Sequence, residues 1–143
     1  MGGRADSFKT AGESGIDCVF LTCFEGEVEV LAWLLRSSGI RIHFADTLEK
    51  AEFLLIVTNA TVLLSDSLFL DGSWRDAAAM LDHFFPGVQL VLVLAADDRA
   101  ARAQAHENAV QDLLYRPLRV NLLRRAIEEG HRSAAERQAP AHV

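Results

Sequence analysis

Thr61-Val62-Leu63-Leu64-Ser65-Asp66, with Leu70-Asp71-Gly72 close behind, decides how the rest of this chain is read. The first segment reads as a buried strand. An acid at the carboxyl end of such a strand, beside a glycine turn, sits where open α/β sheets place their chemistry. Two further strand ends should converge on Asp66, namely Thr22-Cys23-Phe24-Glu25 and Leu94-Ala95-Ala96. Both lack most of the polar groups a reactive centre needs, so the scaffold looks like one with much of its machinery removed.

Working outward, short β-branched and Leu-rich runs alternate with amphipathic stretches joined by short linkers, the rhythm of repeated βα units. Strand one is expected over about residues 16–23 and helix one over 25–38, stopped by Gly39. Strand two follows at 40–45, and Asp46 or Thr47 caps a helix that reaches Thr58. Strand three is expected at 60–65, and Ser73 opens a helix that Pro86-Gly87 ends. Residues 88–94 are apolar except Gln89, which fits a central strand covered on both faces. Asp97-Asp98 starts a fourth helix, 111–115 forms a short strand, and Pro117 leads into an Arg-rich last helix expected to fray from His131. The domain plan is a disordered leader over 1–15, one folded domain over 16–130, and a helix end with a disordered tail over 131–143. Right-handed crossovers through five such units give an α/β, flavodoxin-like, doubly wound parallel sheet of five strands in the order 2-1-3-4-5, with five helices.

Composition narrows the function classes. The 143 residues suit one domain with a proper core, and half of them are hydrophobic. A net charge of −6 supplies no basic field for nucleic acid or an anionic membrane. No apolar run approaches the roughly 20 residues of a membrane span, and no signal-peptide core opens the sequence. A cytoplasmic location is expected. Cys18 and Cys23 lie five apart in one expected strand, and odd spacing turns them to opposite faces, so no disulfide joins them.

Three segments make the likeness more specific: the Gly39 ending of helix one before strand two, Val62-Leu63-Leu64-Ser65-Asp66 with Leu70-Asp71-Gly72 behind it, and Asp112-Leu113-Leu114-Tyr115-Arg116-Pro117 before the last helix. In their order and spacing the chain resembles the receiver domain of bacterial two-component response regulators over about residues 16–130. The resemblance implies a phosphoryl-accepting Asp at the end of strand three, matched by Asp66, or by Ser65 if the strand ends at Leu64. It also implies an acidic pair after strand one that holds Mg²⁺. Here that pair reads Cys23-Phe24, or Thr22-Cys23 in the other register, and Glu25 is the acid left nearby. The Ser or Thr that usually ends strand four is Ala95, the Lys before Pro is Arg116, and the aromatic switch residue is Leu113. Four of the five functional positions therefore depart from the family pattern. Mg²⁺ binding is expected to be weak or absent, because the ion favours near-octahedral oxygen ligands with one or two carboxylates. Asp66 then reads as a partly buried acid kept ionised by Arg116.

The expected role is a stand-alone, non-enzymatic pseudo-receiver that binds a protein partner, a histidine kinase or an effector, without obligatory phosphorylation. The rival is a working phospho-receiver that uses Asp66, and a third reading is a small flavodoxin-like catalyst using Cys23 or Asp66. Cys23 at the mouth of the site could be redox-active only with exposure and a positive neighbour, and a core-lining role is favoured. The histidines show no metal-ligand spacing, and Glu25-Gly26-Glu27 is no phosphate loop. Helix one is apolar nearly all round: Val28, Leu31 and Leu35 can cover the sheet, while Val30, Trp33 and Leu34 fall on another side. Trp33 is accordingly the candidate for an interface, and a homodimer is one form it could take.

Overall fold

The computed structural model describes residues 15–105 and 110–138. The expected leader up to residue 14, the last five residues, His106 and His142 lie outside the described residues. The sheet strands are β1 (Ile16–Leu21), β2 (Ile40–Ala45), β3 (Val62–Asp66), β4 (Gln89–Leu94) and β5 (Asp112–Tyr115). They form one five-stranded sheet in the order β2-β1-β3-β4-β5, parallel throughout. The helices are α1 (Glu25–Leu35), α2 (Leu48–Thr58), α3 (Trp74–Phe84), α4 (Arg99–Ala105) and α5 (Val120–Gln138). The flavodoxin-like sheet and its strand order are those the sequence led us to expect.

Parallel strands must be covered on both faces, and alternate residues divide accordingly. Ile16, Cys18 and Phe20 of β1, with Val62, Leu64, Val91 and Val93, pack under α1 and α5. Val19 and Leu21, with Leu63, Leu90, Leu92 and Leu94, pack under α2, α3 and α4. Every residue of β3 and β4 is buried, and each fully buried Leu or Phe contributes about 1.5–3 kcal/mol.

Local signals fix the ends of the elements. Gly39 stops the first helical segment with φ 75°, after one 3₁₀ turn over Arg36–Ser38. Of the two cap candidates for α2, Thr47 is the one used, its hydroxyl accepting from the Lys50 N–H at 3.1 Å. Ser73 starts α3 with a reciprocal capping box to Asp76, and the Asp98 carboxylate accepts from the Ala101 N–H at 3.1 Å.

The structure corrects four expectations. Strand one ends at Leu21, so Cys23 lies beyond it in an exposed turn while Cys18 is buried in the core. That separation, rather than opposite faces of one strand, keeps the two thiols apart, and burial pushes the Cys18 thiol far above its usual range. Strand three begins at Val62 and includes Asp66. A short antiparallel ladder of Leu68–Phe69 with Gly72–Ser73 follows it, which apolar periodicity did not show. The last helix does not fray at His131. It runs to Gln138, with Ala134 fully buried and the His131 ring 2.8 Å from the Thr61 hydroxyl.

Candidate functional site

The carboxyl ends of β1, β3 and β5 meet at one point. β3 delivers Asp66, which is 5 % exposed. Thr22 follows β1 directly and donates its hydroxyl to Asp66 Oδ2 at 2.5 Å. The same hydroxyl accepts the Phe24 N–H at 3.2 Å, and the Phe24 carbonyl accepts the Glu27 and Val28 N–H groups of α1. Arg116 follows β5 and donates Nη1 to Asp66 Oδ1 at 2.6 Å and Nη2 to Glu27 Oε1 at 2.7 Å. Its guanidinium carbon lies 5.0 Å from the Phe24 ring centre and 6.0 Å from that of Phe20, within reach of cation–π attraction.

The register left open in the sequence is resolved by where the side chains go. Ser65 is buried and turns its hydroxyl onto the Asp66 carbonyl at 2.8 Å, so the carboxylate facing the other strand ends is that of Asp66. Thr22 rather than Cys23 makes the contact from β1, while Cys23 and Phe24 are exposed. Glu25, the acid expected nearby, is exposed and opens α1 away from the cluster, and Glu27 takes that place. Ala95 lies exposed just past β4 and has no side-chain donor to offer. Leu113 is partly buried against the core under α2 to α4. Trp33 is 64 % exposed on α1, with Arg36 over its ring at 5.1 Å. Sequence reasoning missed Glu27, although the stripe Val28, Leu31 and Leu35 sets a helix phase that places it beside the buried face.

Burial raises the Asp66 carboxyl above the usual carboxylate range; the hydrogen bonds from Arg116 and Thr22 pull it down but do not cancel this, and Glu27 adds to the rise. Arg116 does not by itself set the charge of Asp66, as the sequence had implied. Burial acts to lower Arg116, yet Glu27 and Asp66 outweigh it and hold the guanidinium more firmly charged than usual. The resulting array is a half-buried cation shared between a buried and a half-buried carboxylate, geometry in which the hydrogen bonds must offset part of the desolvation cost.

The resident-cation role that receivers assign to this place does not fit the donors present. Asp66 and Glu27 both turn toward a guanidinium, and Thr22, Cys23 and Phe24 bring no carboxylate. Among the described residues no three His, Cys, Asp or Glu side chains are arranged to hold a metal ion.

No family model and no curated relative matches the sequence. Solved structures do. A response regulator receiver domain protein from Clostridium thermocellum superposes with a TM-score of 0.76 at 13 % identity, covering 86 % of this chain and 99 % of its own. An uncharacterized protein from Neptuniibacter caesariensis gives 0.80 at 16 % identity, with 90 % and 96 % covered. The non-phosphorylated HemR receiver domain from Leptospira biflexa gives 0.70 at 19 % identity, with 90 % and 99 % covered. The fold is that of a receiver domain. At these identities the likeness establishes the receiver fold and leaves activity to the site itself. Among the described residues no helix is long and apolar enough to cross a membrane.

Proposed function

We propose that this chain is a pseudo-receiver, a protein-binding module of bacterial signal transduction that works in the cytoplasm without phosphorylation and without catalysis. The observation that carries the reading is the state of Asp66: Thr22 occupies one oxygen, and the other is held by an Arg116 that also serves Glu27. Phosphoryl transfer depends on positioning and on neutralising charge over the phosphate oxygens. Here one guanidinium already balances two acids, and Ala95 has no hydroxyl to bind a phosphoryl group. A histidine kinase or an effector protein is the expected class of partner. The exposed Val30, Trp33 and Leu34 on α1 supply a further surface for a partner or a second copy.

The test is to add Mg²⁺ and beryllium fluoride, a phosphoryl mimic, to the purified protein and follow backbone NMR shifts around Asp66. An unchanged spectrum is expected. Saturable, Mg²⁺-dependent shifts that vanish in Asp66→Asn would establish the rival, a phospho-accepting regulator.

A further inference from the structure

The other helical face of the molecule holds a groove unconnected with Asp66. It lies between α2 and α3, has a volume of about 540 Å³, and has Leu48, Met80 and Phe84 among its lining residues. Phe84 in the lining is 63 % exposed, and Ile56, one turn beyond Glu52 on α2, is 60 % exposed. Large exposed apolar side chains gathered around a concavity mark an interaction surface rather than scattered surface noise.

Charge says what kind of partner fits. Four carboxylates, Glu49, Glu52, Asp71 and Asp76, rim the groove and no Lys or Arg lines it. Asp71 and Asp76 each accept a backbone N–H, from Leu48 and Ser73, and thereby stay fixed in place. Glu49 and Glu52 have no partner among the described residues. The Lys and Arg carried by α2 and α3 are turned elsewhere: Lys50 reaches Asp46 at 3.3 Å and the Phe44 ring, while Arg75 lies over Trp74 and reaches Gln104 at 3.3 Å. An apolar lining between two helices with an acidic rim is complementary to an amphipathic segment carrying a large apolar anchor flanked by basic residues.

We infer that the α2–α3 groove is the docking site for a basic, amphipathic segment of a partner protein, with the partner's apolar anchor seated on Met80 and Phe84 and its Lys or Arg side chains facing Glu49 and Glu52. The inference rests on the reading of the chain as a protein-binding module and names the surface used.

The probe is a displayed library of random peptides of about sixteen residues, selected against the immobilised full chain. Enriched sequences should be net positive with a Leu or aromatic anchor. As synthetic peptides they should shift the amide signals of Leu48, Glu52, Met80 and Phe84. Binding should weaken at least about tenfold in E49K/E52K, and should weaken with added salt. Glu49 is exposed and Glu52 partly so, and an unchanged amide spectrum away from the groove checks that the variant is folded. Phe84→Ser, at a residue already largely in water, is the second variant and should lower affinity without charge change. No enrichment, enrichment of acidic peptides, binding undiminished in both variants, or shifts centred elsewhere overturns the proposal. So does concentration-dependent self-association that E49K/E52K abolishes, which would assign the groove to a second copy. Because beryllium fluoride is read at Asp66 and the peptides at α2 and α3, failure of one reading is distinguishable from failure of the other.

Discussion

Arg116 spans Asp66 and Glu27 with one guanidinium, 2.6 Å to the first and 2.7 Å to the second. The three residues come from the end of β5, the end of β3 and the first turn of α1, so one side chain joins elements distant in sequence.

Arg116→Met leaves two acids facing each other without a cation. Removing one partner of a buried ion pair costs about 3 kcal/mol, at the low end of the usual range because the site is partly open. Asp66 already binds its proton more tightly folded than at its unfolded value of 3.8, and the variant extends that difference. Stability of the variant therefore rises as pH falls through the raised folded value toward 3.8. Urea unfolding at neutral and mildly acidic pH checks this, and a deficit independent of pH would contradict it.

Asp66→Asn keeps an acceptor for Arg116, but its amide N–H can only donate to the Thr22 hydroxyl, which loses the acceptor for its own proton. A stability loss of about 1–2 kcal/mol is expected, with partner binding retained. Calorimetric titration of the partner, once in hand, decides: lost binding would point back to a phosphorylated Asp66.

Asp17 shows the opposite pH behaviour. Arg41 grips its carboxylate through two 2.9 Å bonds and His43 Nε2 adds a third contact at 2.9 Å. The Arg41 hydrogen bond is the largest influence and holds Asp17 below its usual value despite partial burial. A lowered folded value stabilises the fold above the unfolded pKa of 3.8, and this contribution is lost as pH falls through the folded value. Asp17→Asn should accordingly cost about 1 kcal/mol near neutral pH, an ion pair half open to water being weak, and almost nothing in strong acid. Denaturant midpoints across pH report it.

Trp33→Asp changes a side chain that is mostly in water. Folding stability should move by no more than about 0.5 kcal/mol. Sedimentation velocity should show loss of any association carried by α1, and retained assembly would remove α1 as the interface.

Gly72→Ala tests the start of α3. A Cβ there would come within 2.7 Å of Asp76 Oδ2 and 3.2 Å of Phe69. The carboxylate can swing away, but it then abandons the Ser73 N–H it accepts at 2.9 Å. Loss of about 1 kcal/mol, the worth of a helix cap, is expected in thermal unfolding.

Elements with local causes could be read directly from the sequence. Gly39, Thr47 and Ser73 mark helix ends through their own backbone or hydroxyl chemistry, and the apolar runs of β3 and β4 announce burial on both faces. The site was legible only in part. Asp66 and Arg116 stand at strand ends that periodicity locates. Choosing Glu27 over Glu25 needs the rotation of α1 against the end of β5, a tertiary quantity. The length of α5 was misjudged for a related reason: its outer face carries many charges, and beyond the buried Leu123 and Ile127 its inner face continues in small residues, Gly130 close against Val62 and Ala134 fully buried, which add little apolar signal.

The Arg116 clasp has a consequence for how such a protein could carry information. Together with the Thr22 hydroxyl on Asp66, it ties the ends of β1, β3 and β5 to α1. On the reading proposed above, the clasp favours one surface, and a ligand can shift a population only by its preference between states. Signal strength would then be set by abundance: synthesis and degradation of the protein would do the work that addition and removal of a phosphoryl group do elsewhere.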